Sequence, residues 1–311
     1  MDVLDRLWRS GWLPGPWLYV FNRSGIPLVP FELAYRLALP WGDIAYRLWE
    51  SKRETARRNY ARILCRRVDD PQVDRLARAC FRHFSLYIAE MIHVQSWDTD
   101  SLLERLEIEG EEHFAEAESH GRGIIFTSAH MGSSEVAAAI VALRGYRITS
   151  VTEELHPKFV MDWAVACRAR MGVTLLPTTG SGIRLLRALR RREMVALIVD
   201  AGIDQGGGVP VTFFGHQTSF PVGPARLARL SGAPIVFGLA VRLPRGRFRA
   251  FILPPMLSDR DLDADEDARQ LTQRIADQFE GFVRRYPEQW YVFRDMWPSS
   301  SSAPSASPPL S

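Results

Sequence analysis

The stretch GIIFTSAHMGSSEVAAAI, residues 123–140, decides how this chain is read. Its first half, GIIFTSA, is a short apolar run rich in β-branched residues, the composition of a buried strand. Its second half, SSEVAAAI, opens with serines able to cap a helix and continues in alanine, the best helix former. Gly132 between the halves permits the bend. A strand feeding a helix through a tight turn is the repeating unit of an α/β domain. His130 then stands at the carboxyl end of the strand and Glu135 in the first turn of the helix, where sheets of this class bind ligands.

The spacing of these two residues restricts how they could act together. On one continuous helix, five residues turn through about 500°, leaving the side chains about 140° apart. The pair can meet only across a turn. A histidine beside a carboxylate is a general base: the carboxylate fixes the ring tautomer and stabilises the imidazolium formed when the other nitrogen takes a proton. No serine or cysteine sits in a G-x-S-x-G elbow, so the proton would come from a substrate hydroxyl that attacks an activated acyl group directly. Backbone amides after Gly132 are the candidate donors to the resulting oxyanion. The same spacing also fits a glutamate that only complements the helix dipole and a histidine satisfied in the core. No metal site is expected, because helical zinc motifs set two histidines four apart and none is near His130. His83, His93, His113, His120, His156 and His216 read as structural or surface residues.

Outward from this stretch, β-rich runs alternate with helical periods: RITSVTE, a helix over about 157–170, GVTLLPT, a helix over about 181–192, MVALIVDAG, a helix over about 222–231, then APIVFGLAVRL and FRAFILPPM. A last helix spans about 264–285. This alternation predicts an α/β fold with a central, mostly parallel sheet flanked by helices, and no internal repeat. Upstream the texture is helical, with candidates at about 42–66 and 71–95. The expected organisation is an N-terminal helical, membrane-associating region over 1–110, an α/β domain over 111–297, and a Ser/Pro-rich tail over 298–311 with the composition of a disordered end.

The membrane expectation comes from the first 70 residues. Trp8, Trp12, Trp17, Trp41 and Trp49 crowd into the first 49 positions; tryptophan favours membrane interfaces, and a peripheral core cluster would look the same. The apolar runs there are interrupted by Pro14, Pro16, Pro27, Pro30 and Pro40 and by Glu32 and Arg36, so none gives about 18 clean apolar residues for a span. No signal peptide is recognisable. Residues 47–67 hold eight arginines and lysines against two glutamates. On a helix, Ala56, Tyr60, Ile63 and Leu64 share one face, while Arg53, Arg57, Arg58, Arg62 and Arg66 lie largely on the other. That pattern fits a basic amphipathic helix at an anionic surface, or a solvated helix covering the core. Cys65, Cys80 and Cys167 fit neither a zinc spacing nor a disulfide framework, in keeping with a reducing compartment. Net charge is only +3 and no nucleic-acid recognition motif is present, so nucleic acid is not an expected partner.

AHMGSSE resembles the His-x4-Asp/Glu motif of glycerolipid acyltransferases. The surrounding chain is most similar to the lipid A biosynthesis acyltransferase family, including its phosphatidylinositol mannoside acyltransferase branch. RRNYARIL, SVTEELHPKFVMDWAVACRARMG, VTFFGHQTSFPVGPARLARLSGAPIV and YPEQWYVFRDMW resemble family segments in the right order, over about residues 20–297. The resemblance implies His130 as the base and Glu135 as its partner, with Glu153, Arg168 and Asp200 lining the active site. The loop DAGIDQGGGVP has one residue more than the family pattern, which leaves Asp204 as a second candidate for that acid. Arg168 could pair with a phosphate of the lipid acceptor or the acyl donor, a contact worth about 1.5 to 3 kcal/mol, or be a solvated charge. Arg226, near a helix start after the FFG block, could hold donor phosphates, while the block itself could equally be a packing corner.

The implied activity is transfer of a fatty acyl group from an acyl-coenzyme A or acyl-carrier-protein thioester to a hydroxyl of a glycolipid or lysophospholipid. No cofactor is required, membrane lipids are the partners, and the place is the cytoplasmic face of the inner membrane, peripheral or monotopic. Members acting on lipid A usually begin with a clearer transmembrane helix, which points away from lipid A as the acceptor here. The alternative is a non-catalytic peripheral membrane protein, which accounts for the N-terminus but not for the domain after Gly121.

Overall fold

Helices dominate the described residues before the first strand. The computed structural model describes residues 29–94, 97–152, 158–170, 172–200 and 208–297. Trp8, Trp12, Trp17, Glu153, His156, Asp204 and the tail from 298 lie outside the described residues. α1 (Phe31–Leu48), α2 (Glu50–Ile63), α3 (Pro71–His93) and the short α4 (Thr99–Leu103) come first. Strands and helices then alternate through β1 (Leu106–Glu109), α5 (Glu112–Ser119), β2 (Ile124–Ser128), α6 (Ser134–Leu143), β3 (Ile148–Thr152), α7 (Lys158–Arg170), β4 (Val173–Pro177), α8 (Gly182–Arg190) and β5 (Met194–Ile198). A hairpin of β6 (Gly208–Phe213) and β7 (His216–Pro221) leads into α9 (Gly223–Ser231), β8 (Ile235–Leu243), β9 (Arg247–Ile252) and α10 (Ala264–Arg285).

Seven strands form the central sheet in the order β1-β9-β8-β2-β5-β3-β4. From β8 to β4 every pairing is parallel, because helices connect the neighbours. β9 follows β8 through a tight connection and therefore pairs antiparallel to it, and β1 lies parallel to β9 at the edge. The sheet is thus mostly parallel. β2, at its centre, is buried at all five positions, as a strand covered on both faces must be.

The helical candidate expected over 42–66 is two helices. The chain breaks at Trp49 (φ −98°, ψ 74°), while Pro40, read as an interruption, lies inside α1. Proline removes one intrahelical hydrogen bond, but Ala38 and Tyr46 are buried and Asp43 holds both Arg78 and Arg82 of α3 at 2.7 Å, so tertiary packing carries the helix past the defect. α3 starts with Asp70 as its cap and Pro71 at its first position, the expected initiation chemistry.

These helices share the core of the sheet domain. Ala56 and Tyr60 of α2 are fully buried, as their spacing predicts, and the Tyr60 hydroxyl reaches the carbonyls of Pro287 and Trp290 at 2.9 Å. Asn59 donates to Val292 O and Arg294 O. The arginines on the outer face of α2 are mostly engaged within the protein: Arg53 and Arg57 with Glu54, Arg58 with Asp295, and Arg62 over the Trp297 ring.

The segment around Phe213, Phe214 and Gly215 is a two-residue hairpin turn. Phe213 pairs with His216, and both Phe214 (φ 53°) and Gly215 (φ 74°) are left-handed, as a turn matching the twist of its strands requires. Read from its sequence, this block ends a strand, turns through Gly215 and begins a helix near Pro224, a reading without β7. Phe213 is wholly buried and stacks on Phe279 and Trp297, which makes the block a packing corner.

Candidate active site

The parallel register of β2 and β5 builds the site. Ser128 lies opposite Ile198 at the ends of these strands. Two residues further along each chain stand His130 and Asp200, and the His130 Nδ1 is 3.0 Å from Asp200 Oδ1. The same carboxylate oxygen accepts the His130 backbone N–H at 3.0 Å, and its other oxygen accepts the Trp290 indole N–H at 3.0 Å. Asp200 is 3% exposed while the His130 side chain is 55% exposed, so the pair has a dry end and a wet end.

Burial alone would raise the Asp200 carboxyl. The field of His130, the hydrogen bonds from its ring and amide, and the field of Arg294 outweigh it and hold the group at about 2. Ionised, Asp200 only accepts hydrogen bonds, so Nδ1 of His130 carries a proton in both ring states, and in the neutral ring Nε2 holds the lone pair.

Glu135 serves a different partner. Its carboxylate, 2% exposed, receives both guanidinium arms of Arg168, at 2.8 Å and 2.5 Å, with the Tyr87 hydroxyl at 3.4 Å from Oε1. Glu135 was the expected partner of the histidine; the carboxylate that the structure sets against Nδ1 is that of Asp200. The turn at Gly132 starts α6 so that Glu135 points toward α7, whereas the register of the adjacent strand delivers Asp200 to the ring. Burial, then the Glu135 charge, pushes the Tyr87 phenol up to about 12 and keeps it protonated.

The turn itself is held by the PEQWY segment near the end of the chain. Gly132 N–H donates to Gln289 O at 2.9 Å, and Tyr291 N–H to His130 O at 2.9 Å. Ser133 N–H donates to Ala240 O at 2.7 Å. Gly132 has φ 64°, and a Cβ there would sit 2.0 Å from Ala240 O, so no other residue fits. Of the amides after Gly132 expected as oxyanion donors, that of Ser133 is therefore already committed.

His130 and Asp200 are brought together, Glu135 and Arg168 form a second pair, and Glu153 lies outside the described residues. Arg226 is exposed in α9 and makes no hydrogen bond or ion pair with either. Trp290, which sequence reasoning left without a role, donates to the buried acid; its place in a tryptophan-containing closing motif was the available signal. Among the described residues, no group of three or more His, Cys, Asp or Glu is arranged to hold a metal ion.

The fold is thus a mostly parallel α/β sheet that carries a His–Asp pair beyond two adjacent strand ends, where sheets of this class bind ligands. The chain belongs to the bacterial lipid A biosynthesis acyltransferase family, whose model matches residues 7–299, and it is an acyltransferase. It is 28% identical over 296 residues to the phosphatidylinositol mannoside acyltransferase of Mycobacterium tuberculosis (strain ATCC 25618 / H37Rv), covering 90% of this chain and 88% of that one. The protein of the same name from Mycolicibacterium smegmatis is 28% identical over 249 residues, 78% of this chain and 79% of its own. The lipid A biosynthesis lauroyltransferase of Escherichia coli (strain K12) is 23% identical over 266 residues, 84% of each chain.

Proposed function

We propose that this protein transfers a fatty acyl group from an acyl thioester to a hydroxyl of a membrane glycolipid, with an acceptor of the phosphatidylinositol mannoside kind. The His130–Asp200 pair beyond the ends of β2 and β5 carries this reading. Nε2 of His130 takes the proton of the acceptor hydroxyl as its oxygen attacks the thioester carbonyl. The Asp200 carboxylate stabilises the imidazolium that forms. Collapse of the tetrahedral intermediate expels the thiolate, which recovers the proton from His130. Arg168, fixed by the Glu135 fork, presents a cation beside the site for a phosphate of the acceptor or of a coenzyme A or carrier-protein donor.

The acceptor would be met at a membrane surface. On α1, Leu33, Leu37, Trp41, Ile44 and Leu48 follow one another at three- and four-residue steps, and all are exposed, Trp41 at 66%. This apolar stripe suits a helix lying in the headgroup region. No helix among the described residues is long and apolar enough to cross a membrane.

The test incubates purified protein with acyl-coenzyme A or acyl-carrier-protein thioesters and vesicles of glycolipid extract, and follows products by mass spectrometry. An acylated glycolipid that disappears with His130→Ala is the expected result. Full activity in that variant would refute the mechanism, and no product with either donor would refute the activity.

A further inference from the structure

Beneath the catalytic turn lies a buried ionic cluster that acid–base chemistry does not require. Arg242 on β8 and Glu90 on α3 are 5% and 0% exposed. The Arg242 guanidinium donates through Nε to Glu90 Oε1 and through one terminal nitrogen to Glu90 Oε2 at 2.7 Å. That same nitrogen also donates to the carbonyl of Gly132 at 2.8 Å, and the other donates to the Tyr291 hydroxyl. Tyr291 in turn donates its own proton to Gly132 O at 2.5 Å. Two buried donors therefore converge on one carbonyl, two residues from His130. The Gln289 side chain clamps the Arg242 backbone, accepting its N–H at 2.8 Å and donating to its carbonyl at 3.0 Å. Tyr35 of α1 reaches Glu90 Oε1 at 2.7 Å and ties the helix with the apolar stripe to the same cluster.

Stability does not explain such a cluster. Desolvating two charges offsets most of their attraction, and well-packed apolar residues in their place are often neutral or stabilising. What apolar residues could not do is grip the Gly132 carbonyl. That carbonyl sets the direction of the peptide planes between His130 and the start of α6, and so the position of the imidazole over Asp200.

We propose that Arg242 is a positioning residue, which with Tyr291 locks the Gly132 carbonyl and thereby holds His130 in its working geometry. The rate part of its test rests on the acyl-transfer reading, and the exchange part does not.

Two variants separate positioning from folding. Tyr291→Phe keeps the ring and removes one donor to Gly132 O. The double variant Glu90→Leu with Arg242→Met removes both charges together, leaving none buried and unpaired. Melting temperature, hydrogen–deuterium exchange of the peptide over residues 126–140, and kcat and KM for the thioester are measured for each, below the melting transition. Expected for Tyr291→Phe are a melting temperature close to that of the unaltered protein, exchange at the turn faster by about fivefold or more, and kcat lower by about tenfold at unchanged KM. The double variant should move exchange and kcat in the same direction. Unchanged turn exchange in both folded variants would overturn the proposal, and so would faster exchange with kcat intact. If the unaltered protein transfers no acyl group, the acyl-transfer reading fails, while the exchange result still decides whether the cluster holds the turn.

Discussion

Replacing Asp200 with asparagine separates the pairing seen here from the one the motif suggests. The substitution keeps size and hydrogen-bonding capacity but removes the charge. It also allows the amide to donate to Nδ1, which would move the ring proton to Nε2 and disable the base. Lowering the carboxyl from 3.8 to about 2 corresponds to about 2 kcal/mol in favour of the charged form, despite burial. If that stabilisation is made fully with the imidazolium, its loss costs about thirtyfold in rate. The wrong tautomer adds to this, so a fall in kcat of about a hundredfold or more is expected. The assay is kcat for acyl transfer at saturating thioester over pH 5–9, with melting temperature as a folding control. Glu135→Gln is the companion variant. It weakens the Arg168 fork but leaves His130 on Asp200, so its effect should fall on KM for the phosphate-bearing substrate. Asp200→Asn activity within threefold of the unaltered protein, together with a collapse of kcat in Glu135→Gln, would refute the assignment.

Two further predictions concern the surface and the acid limit. Leu37→Glu with Trp41→Glu places two charges on the exposed stripe of α1 and should cut co-sedimentation with anionic vesicles by about tenfold while leaving the melting temperature unchanged; undiminished co-sedimentation would remove α1 as the membrane contact. Burial, then the field of Arg242, holds the His83 imidazole down at about 3, and its Nδ1 is buried with no hydrogen-bond partner. The folded value lies below the unfolded value, so the unfolded chain binds the extra proton between about pH 6.5 and 3, and stability falls as pH drops through that window. At pH 5 this amounts to about 2 kcal/mol, so His83→Phe should flatten the decline in melting temperature from pH 7.5 to pH 5, and an equally steep decline would disprove the role given to His83.

The local grammar of the chain was legible without its fold. The helix over 264–285 declared both its ends, with Asp263 capping the first turn and arginines closing the last, and it occupies Ala264–Arg285. The strand–turn–helix around His130 was equally plain, because β-branched residues, a glycine and capping serines each act within a few residues of themselves. Period alone set Ala56 and Tyr60 on one apolar face of their helix, and the fold turned that face to the core. The hairpin at Phe214-Gly215 was less legible, since its left-handed Phe214 is fixed by contacts with Glu280 and Arg284 from a distant helix.

The partners in the site were set by tertiary structure. Sequence proximity joins His130 to Glu135, five residues away, but strand register joins it to Asp200, seventy residues away, and sends Glu135 to Arg168. No local rule carries that information, because the register of two parallel strands depends on the helices that cross between them and on the core they cover together. The sequence by itself determined which residue types stand at the strand ends and which faces are apolar. The packed sheet alone decided which carboxylate meets the imidazole, and which buried cation grips the turn beneath it.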